Sequence, residues 1–293
     1  MRLTIPEEEL ITSGHKGCQG CGGALAMRYA LKALGEKTIV VIPACCWTVF
    51  EGEFPYTCMR VPLLHTAFET AASASSGIRA ALKVRGKDDV TVLAWAGDGG
   101  TFDIGIQALS GAVERNEDFI YACYDNEGYM NTGIQRSSAT PYGAWTTTTP
   151  VEAFESAQKK NIVEIMVAHE IPYTATASIA YPEDLIRKMQ KAKQIRGSKF
   201  IHILSPCPPG WRFQTDWTIK LARLAVETSV FPLYEVEYGK YTINRKPQKK
   251  PVRDYIAIQG RFRHLSDEII AGIQARVDET WNKLLKKEEE SGK

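Results

Sequence analysis

The stretch Val90-Thr91-Val92-Leu93-Ala94-Trp95-Ala96-Gly97-Asp98-Gly99-Gly100-Thr101-Phe102-Asp103-Ile104-Gly105 reads as a buried strand, a glycine turn and the start of a helix. An unbroken apolar run closed by glycine is the pattern of a parallel strand covered on both faces. A second run, Phe119 to Tyr124, leads into Asn126. Two buried parallel strands deliver Asp98 and Asn126 to one edge of a sheet. Asp98 is a hard, charged oxygen ligand and Asn126 offers a neutral amide oxygen. Mg²⁺ takes one or two protein carboxylates and leaves its other positions to substrate phosphates and water. Glycines on both sides of Asp98 let a diphosphate come close to the backbone. The competing reading is a glycine turn and an unrelated surface asparagine.

Outward from this stretch the pattern alternates. A helix is predicted over Gly22–Leu34, a strand over Thr38–Ile42, and a close-packing helix over the small residues Phe68–Leu82. Strand Val90–Ala96 enters the turn, helix Ile104–Glu114 leaves it, and strand Phe119–Tyr124 enters the Asn126 loop. Helix Val163–His169, strand Tyr173–Thr176, helix Pro182–Ile195 and strand Phe200–Leu204 follow. This alternation implies an α/β fold with a doubly wound, mostly parallel sheet. Residues 1–207 are read as that domain, with an N-terminal cysteine segment. Residues 208–293, with strands near Leu233–Val236 and a helix over Asp267–Lys286, are read as a C-terminal extension.

Composition excludes several classes. The 293 residues are 44% hydrophobic and 24% charged, close to globular averages. A net charge of +2 without a basic stripe argues against nucleic acid as a partner. No apolar stretch reaches membrane-spanning length, and residues 1–13 lack a signal-peptide core. The run Lys286-Lys287-Glu288-Glu289-Glu290 reads as a solvated helix end. Seven cysteines, an odd number, fit a reducing compartment, so a cytoplasmic location is expected.

Four of those cysteines suggest a metal site. Cys18 and Cys21 form a C-x-x-C pair, Cys46 follows Pro43-Ala44-Cys45, and Cys207 is bracketed by Pro206 and Pro208. Such a set can ligate one iron–sulfur cluster or one zinc ion. A redox dithiol is the third reading, without a thioredoxin-like pattern around it. Cys46 or Cys207 as a plain buried hydrophobe is the fourth.

Taken together, Gly14-His15, Gly17-Cys18, Gly20-Cys21-Gly22, Phe54-Pro55-Tyr56-Thr57, Gly97 to Gly105 and Tyr124-Asp125-Asn126-Glu127-Gly128-Tyr129-Met130-Asn131-Thr132-Gly133-Ile134-Gln135 resemble the beta subunit of a 2-oxoacid:ferredoxin oxidoreductase, nearest the pyruvate type. The resemblance runs from about Gly14 to Leu265. It implies the thiamine-diphosphate-binding fold of the diphosphate type. It implies a [4Fe–4S] cluster on Cys18, Cys21, Cys46 and Cys207, and Mg²⁺ on Asp98, Asn126 and the Gly128 carbonyl. Gly97, Gly99 and Gly100 would face the diphosphate, Asn131 would lie near the reacting carbon, and Thr132 and Gly133 would complete that loop. Cys45, and Trp47-Thr48-Val49 after Cys46, depart from the family pattern and point to a different substrate within it, such as a branched 2-oxoacid or oxalate. Implied partners are alpha, gamma and ferredoxin-like subunits, ferredoxin, coenzyme A and a 2-oxoacid. The carboxylate that activates the cofactor would come from the alpha subunit. A non-redox thiamine diphosphate or zinc subunit is the reading from another class.

Other side chains have two readings each. His65 is the histidine expected nearest the site, against a structural role. Asp103 is read as a helix cap, Tyr129 as packing, Glu127 as solvated, His15 as ordering the cysteine loop, and Glu69 as near the cofactor.

Overall fold

The computed structural model describes residues 4–53 and 55–292; Phe54 of the Phe54–Thr57 motif lies outside them. The strands are β1 (Thr38–Pro43), β2 (Leu63–Thr66), β3 (Thr91–Gly97), β4 (Ile120–Asp125), β5 (Tyr173–Ser178), β6 (Lys199–Leu204), β7 (Tyr234–Glu237) and β8 (Lys240–Ile243). The helices are α1 (Gly22–Leu34), α2 (Trp47–Phe50), α3 (Ala71–Val84), α4 (Ile106–Glu114), α5 (Ile162–Ala168), α6 (Pro182–Gln194), α7 (Pro208–Trp211), α8 (Thr218–Glu227), α9 (Val252–Ile256) and α10 (Asp267–Ser291).

One sheet runs in the order β2-β1-β3-β4-β6-β5-β7-β8. The first six strands are parallel; β7 and β8 are antiparallel and close one end. The strand near Leu233–Val236 thus extends the main sheet rather than standing apart from it. Strand pleating sorts the core into two layers. Ile42, Trp95, Tyr124 and Ile203 face α1 and α6. Val41, Ala96, Tyr121 and Phe200 face α3, α4 and α5. A third apolar group, with Leu204, Trp211, Leu221 and Tyr255, joins α7, α8 and α9 to the end of β6.

From β1 the chain moves outward to β2, then returns past β1 to β3 and β4. The order therefore reverses between β1 and β3, and the crevice above their carboxyl ends is the usual ligand position in such sheets. Cys45 and Cys46 follow β1 there, and Asp98 follows β3.

Several boundaries differ from the sequence reading. β2 is a four-residue, half-exposed edge strand with no alternation to read. Helix α4 starts at Ile106, not Ile104, because a separate turn precedes it. Helix α10 continues past Lys286 to Ser291. Its final turn is docked rather than solvated: Lys287 pairs with Glu164, and Glu288 accepts from the Ile243 N–H at 2.7 Å and pairs with Lys246 at 2.6 Å.

Candidate active site

Strand β3 gives way to a single π-helical turn, Gly99–Asp103, before α4. Such turns are rare and concentrate at functional sites. Gly99 lies under the Tyr129 ring, where an added Cβ would meet a ring carbon at 2.1 Å, so no side chain fits. Gly97 ends β3, and the N–H groups of Gly99 and Gly100 open the turn, where helical geometry leaves donors free for an anion.

Asp98 is 1% exposed. Its Oδ2 accepts from Ser137 Oγ at 2.5 Å, and its Oδ1 lies 3.4 Å from the Asn126 N–H. Burial, and then the Asp125 charge, push the Asp98 carboxyl well above its ordinary range. One end of the Asn126 side-chain amide lies 2.9 Å from both Asp98 Oδ1 and the Gly128 carbonyl oxygen. With nitrogen at that end the amide donates to both. With oxygen there, three oxygens face one space, the donor set of a hard divalent cation.

A buried charge network backs this loop. Asp125 Oδ2 contacts Lys159 Nζ at 2.5 Å and His202 Nε2 at 2.6 Å. Burial alone would raise the Asp125 carboxyl, but Lys159 and His202 hold it at about 2. Burial likewise keeps His202 below its ordinary value despite Asp125. Glu127 is buried and pairs with Lys159 at 2.7 Å and Arg261 at 2.6 Å. The reading of Glu127 as solvated is therefore corrected. Its two cations lie 32 and 134 residues away, beyond any local pattern.

The segment Tyr129–Gln135 folds back on itself. Tyr129 N donates to Gln135 O at 2.9 Å, Thr132 Oγ1 donates to Gln135 Oε1 at 2.5 Å, and the Gly133 carbonyl accepts from Thr147 Oγ1 at 2.8 Å. Asn131, Thr132 and Gly133 form its exposed tip. Tyr129 packs, but its hydroxyl also donates to Asp103 Oδ2 at 2.5 Å. Asp103 accepts from the Ser138 N–H as well, at 3.2 Å. No side chain caps α4, whose cap position is Gly105, so Asp103 is a loop brace and not a helix cap.

The cysteine segments meet across the fold. Cys21 N donates to Cys18 O at 3.1 Å, Gly22 N to Pro206 O at 3.1 Å, and Thr218 Oγ1 to Gly20 O at 2.5 Å. Cys21, Cys46 and Cys207 occupy the cap positions of α1, α2 and α7. Helix N-termini favour thiolates. Burial pushes the Cys46 thiol up, reinforced by Cys45, Cys207 and Cys21. Burial pushes Cys207 up to about 12, reinforced by Cys21 and Cys18. The segments carrying Cys18, Cys21 and Cys207 therefore lie together. Among the described residues, however, no three His, Cys, Asp or Glu side chains gather closely enough to hold a single ion. The Cys45 N–H donates to Thr48 Oγ1 at 3.1 Å.

Three further residues stand apart. His65 Nε2 contacts buried Glu51 Oε1 at 2.7 Å on β2, with β1 between it and β3. No hydrogen bond joins it to Asp98 or Asn126 among the described residues. Glu69 is exposed in the turn before α3. His15 Nδ1 accepts from the Gly17 N–H at 3.2 Å, ordering the loop before Cys18.

Fold and site define a thiamine-diphosphate-binding domain. Residues 45–203 match the family described as thiamine pyrophosphate enzyme, C-terminal TPP binding domain. The chain belongs to the 2-oxoacid:ferredoxin oxidoreductase beta-subunit family. It is 54% identical to ketoisovalerate oxidoreductase subunit VorB of Pyrococcus abyssi, covering 97% of this chain and 95% of that one. It is 52% identical to pyruvate synthase subunit PorB of Methanothermobacter thermautotrophicus, covering 96% and 99%. The solved 2-oxoglutarate:ferredoxin oxidoreductase of Magnetococcus marinus, with 2-oxoglutarate, coenzyme A and succinyl-CoA bound, shares the fold at TM-score 0.60 and 22% identity, covering 76% of this chain and 81% of that one.

Proposed function

We propose that this chain is the cofactor-binding beta subunit of a pyruvate-type oxidoreductase. The reaction converts pyruvate and coenzyme A to acetyl-CoA and CO₂, with two electrons leaving singly to oxidised ferredoxin. The observation that carries this reading is the meeting of Asp98 Oδ1, the Asn126 amide and the Gly128 carbonyl at one point. Asp98, Asn126 and Gly128 would hold Mg²⁺. Gly97, Gly99 and Gly100 would bind the diphosphate. Asn131, Thr132 and Gly133 would line the reacting end. Thiamine diphosphate, when bound, supplies the electron sink for decarboxylation.

Cys18, Cys21, Cys46 and Cys207 would hold one [4Fe–4S] cluster. Cys46, rather than Cys45, is the ligand in this proposal. His65, held by Glu51, would brace the segment after Cys46. On this reading the chain carries residues for one cofactor half-site and one set of cluster thiols. Alpha, gamma and ferredoxin-like subunits would supply the remaining groups and the electron exit in a cytoplasmic complex.

A second reading keeps this machinery and takes a branched 2-oxoacid. Identities of 54% to the VorB relative and 52% to the PorB relative support it about equally. The test is a panel of pyruvate, 3-methyl-2-oxobutanoate and 2-oxoglutarate on the assembled complex, read as coenzyme A-dependent dye reduction, with oxalate read without coenzyme A. The highest kcat/KM with pyruvate supports the first reading. The highest value with the branched acid replaces it. Dye reduction by these 2-oxoacids that does not need coenzyme A, or a colourless, zinc-loaded protein, would reject both.

A further inference from the structure

We propose that Arg261 and Glu127 form a latch that positions the Asn126 loop for its cation, so that a segment outside the thiamine-diphosphate domain sets cofactor affinity. The inference rests on the proposed role of Asn126 as a metal ligand.

Three backbone groups at Asn126 and Glu127 are held from behind. The Asn126 carbonyl accepts from the Trp211 indole N–H at 2.6 Å. The Glu127 N–H donates to Asp125 Oδ1 at 2.9 Å, and the Glu127 carbonyl accepts from Thr140 Oγ1 at 2.9 Å. Glu127 has a left-handed backbone, φ +65°, which turns the Asn126 side chain and the Gly128 carbonyl toward the same point. That conformation costs a glutamate free energy, which its surroundings offset. Beside those backbone hydrogen bonds stand two ion pairs: Glu127 Oε2 meets Arg261 Nη2 at 2.6 Å, and Oε1 meets Lys159 at 2.7 Å.

Arg261 contributes twice. Its guanidinium also lies 3.9 Å from the centre of the Trp211 ring, the indole that holds the Asn126 carbonyl. Gln259 Oε1 fixes its Nε at 2.9 Å. Arg261 and Trp211 are both essentially buried, and both lie outside residues 45–203. The matched domain supplies the ligands; the later segment supplies their fixation. Groups behind a metal ligand tune affinity without touching the metal. Loss of Arg261 leaves Lys159 beside Glu127, so the loop keeps one counter-charge and the fold a route to survive.

The experiment uses the assembled complex. Thiamine diphosphate and Mg²⁺ are titrated against protein fluorescence, well below the melting temperature. Arg261→Gln should raise the half-saturating Mg²⁺ and cofactor concentrations by about 10- to 100-fold. Saturating cofactor should recover kcat, with the 2-oxoacid KM and iron content unchanged. Arg261→Lys, which keeps charge but loses the planar fork, should recover part of the shift. Glu127→Gln should act in the same direction, and the double variant should be no worse than the worse single one. Lys188→Met breaks an unrelated buried pair with Asp184 and controls for general loosening. Equal shifts in Lys188→Met and Arg261→Gln, or binding by Arg261→Gln within about twofold of wild type, would overturn the latch. If Arg261→Gln does not assemble, Arg261→Lys and Glu127→Gln carry the same comparison. Asp98→Asn separates the two levels. Normal cofactor binding there removes the site reading itself; weakened binding there with normal Arg261→Gln removes only the latch.

Discussion

Asp98→Asn isolates charge from shape at the centre of the site. Asn has nearly the same volume, and its amide oxygen can still accept from Ser137 Oγ, now 2.5 Å from Asp98 Oδ2. What disappears is the anion that faces Asn126 and Gly128. Two unit charges at about 4 Å attract by about 4 kcal/mol at an effective dielectric of about 20. A divalent ion in direct contact attracts more strongly, and the cost of stripping its water offsets part of that gain. A net loss of about 4 kcal/mol corresponds to an affinity loss on the order of 10³-fold. Without cofactor the sign reverses. Burial and the Asp125 charge oppose an ionised Asp98, so its neutral replacement should melt no lower than wild type. The assay pairs calorimetric titration of thiamine diphosphate with Mg²⁺ against thermal melts of cofactor-free complex. Cofactor binding within about threefold of wild type would refute the metal assignment, since about 0.65 kcal/mol is too little for a buried anionic ligand. A large drop in cofactor-free stability would show that Asp98 serves the fold and not the ligand.

Cys18, Cys21, Cys46 or Cys207→Ala should each deplete iron and abolish electron transfer while thiamine diphosphate still binds; Cys45→Ala should keep its iron. Iron analysis and visible absorption check both, and iron lost from Cys45→Ala but not Cys46→Ala would move the ligand by one position. At the N-terminal segment, Glu9 pairs with Arg28 at 2.6 Å and Lys32 at 2.8 Å, and Lys32 also donates to the Pro6, Glu7 and Glu8 carbonyls. The Arg28 hydrogen bond chiefly holds the Glu9 carboxyl at about 2, below its ordinary 4.5. The tether is therefore fully present above about 4.5 and lost as pH falls toward about 2. Hydrogen exchange of residues 5–12 should rise over that window, and Glu9→Gln should flatten the rise.

Asp98 and Asn126 were legible because each follows an unbroken apolar strand, and strand ends in a doubly wound sheet share one edge. The four cysteines drew notice through spacing and proline framing, and among the described residues no three of them gather at one point. What stayed hidden depends on distance along the chain. Nothing local to Glu127 announces Lys159 or Arg261, so a buried, doubly paired carboxylate read as a solvated one. Asp103 stands where a cap belongs, but the π-helical turn moves the start of α4 to Ile106 and leaves Asp103 to Tyr129 and Ser138. Strand β2 is too short and too exposed to carry a pattern. Helix α8 did carry one, with Leu221, Ala222, Ala225 and Val226 on one buried face, and that spacing is the signal that would have found it.

The most direct test asks whether the Asp98 site and the four thiols form one electron path. The assembled complex, purified without oxygen, is mixed rapidly with pyruvate and coenzyme A while its broad visible absorption is followed. The wild-type complex should bleach on mixing, and ferredoxin should restore the colour. A complex carrying Asp98→Asn should stay coloured with pyruvate yet bleach with dithionite. A colourless complex with stoichiometric zinc, or pyruvate-driven bleaching of the Asp98→Asn complex at the wild-type rate, would contradict the account.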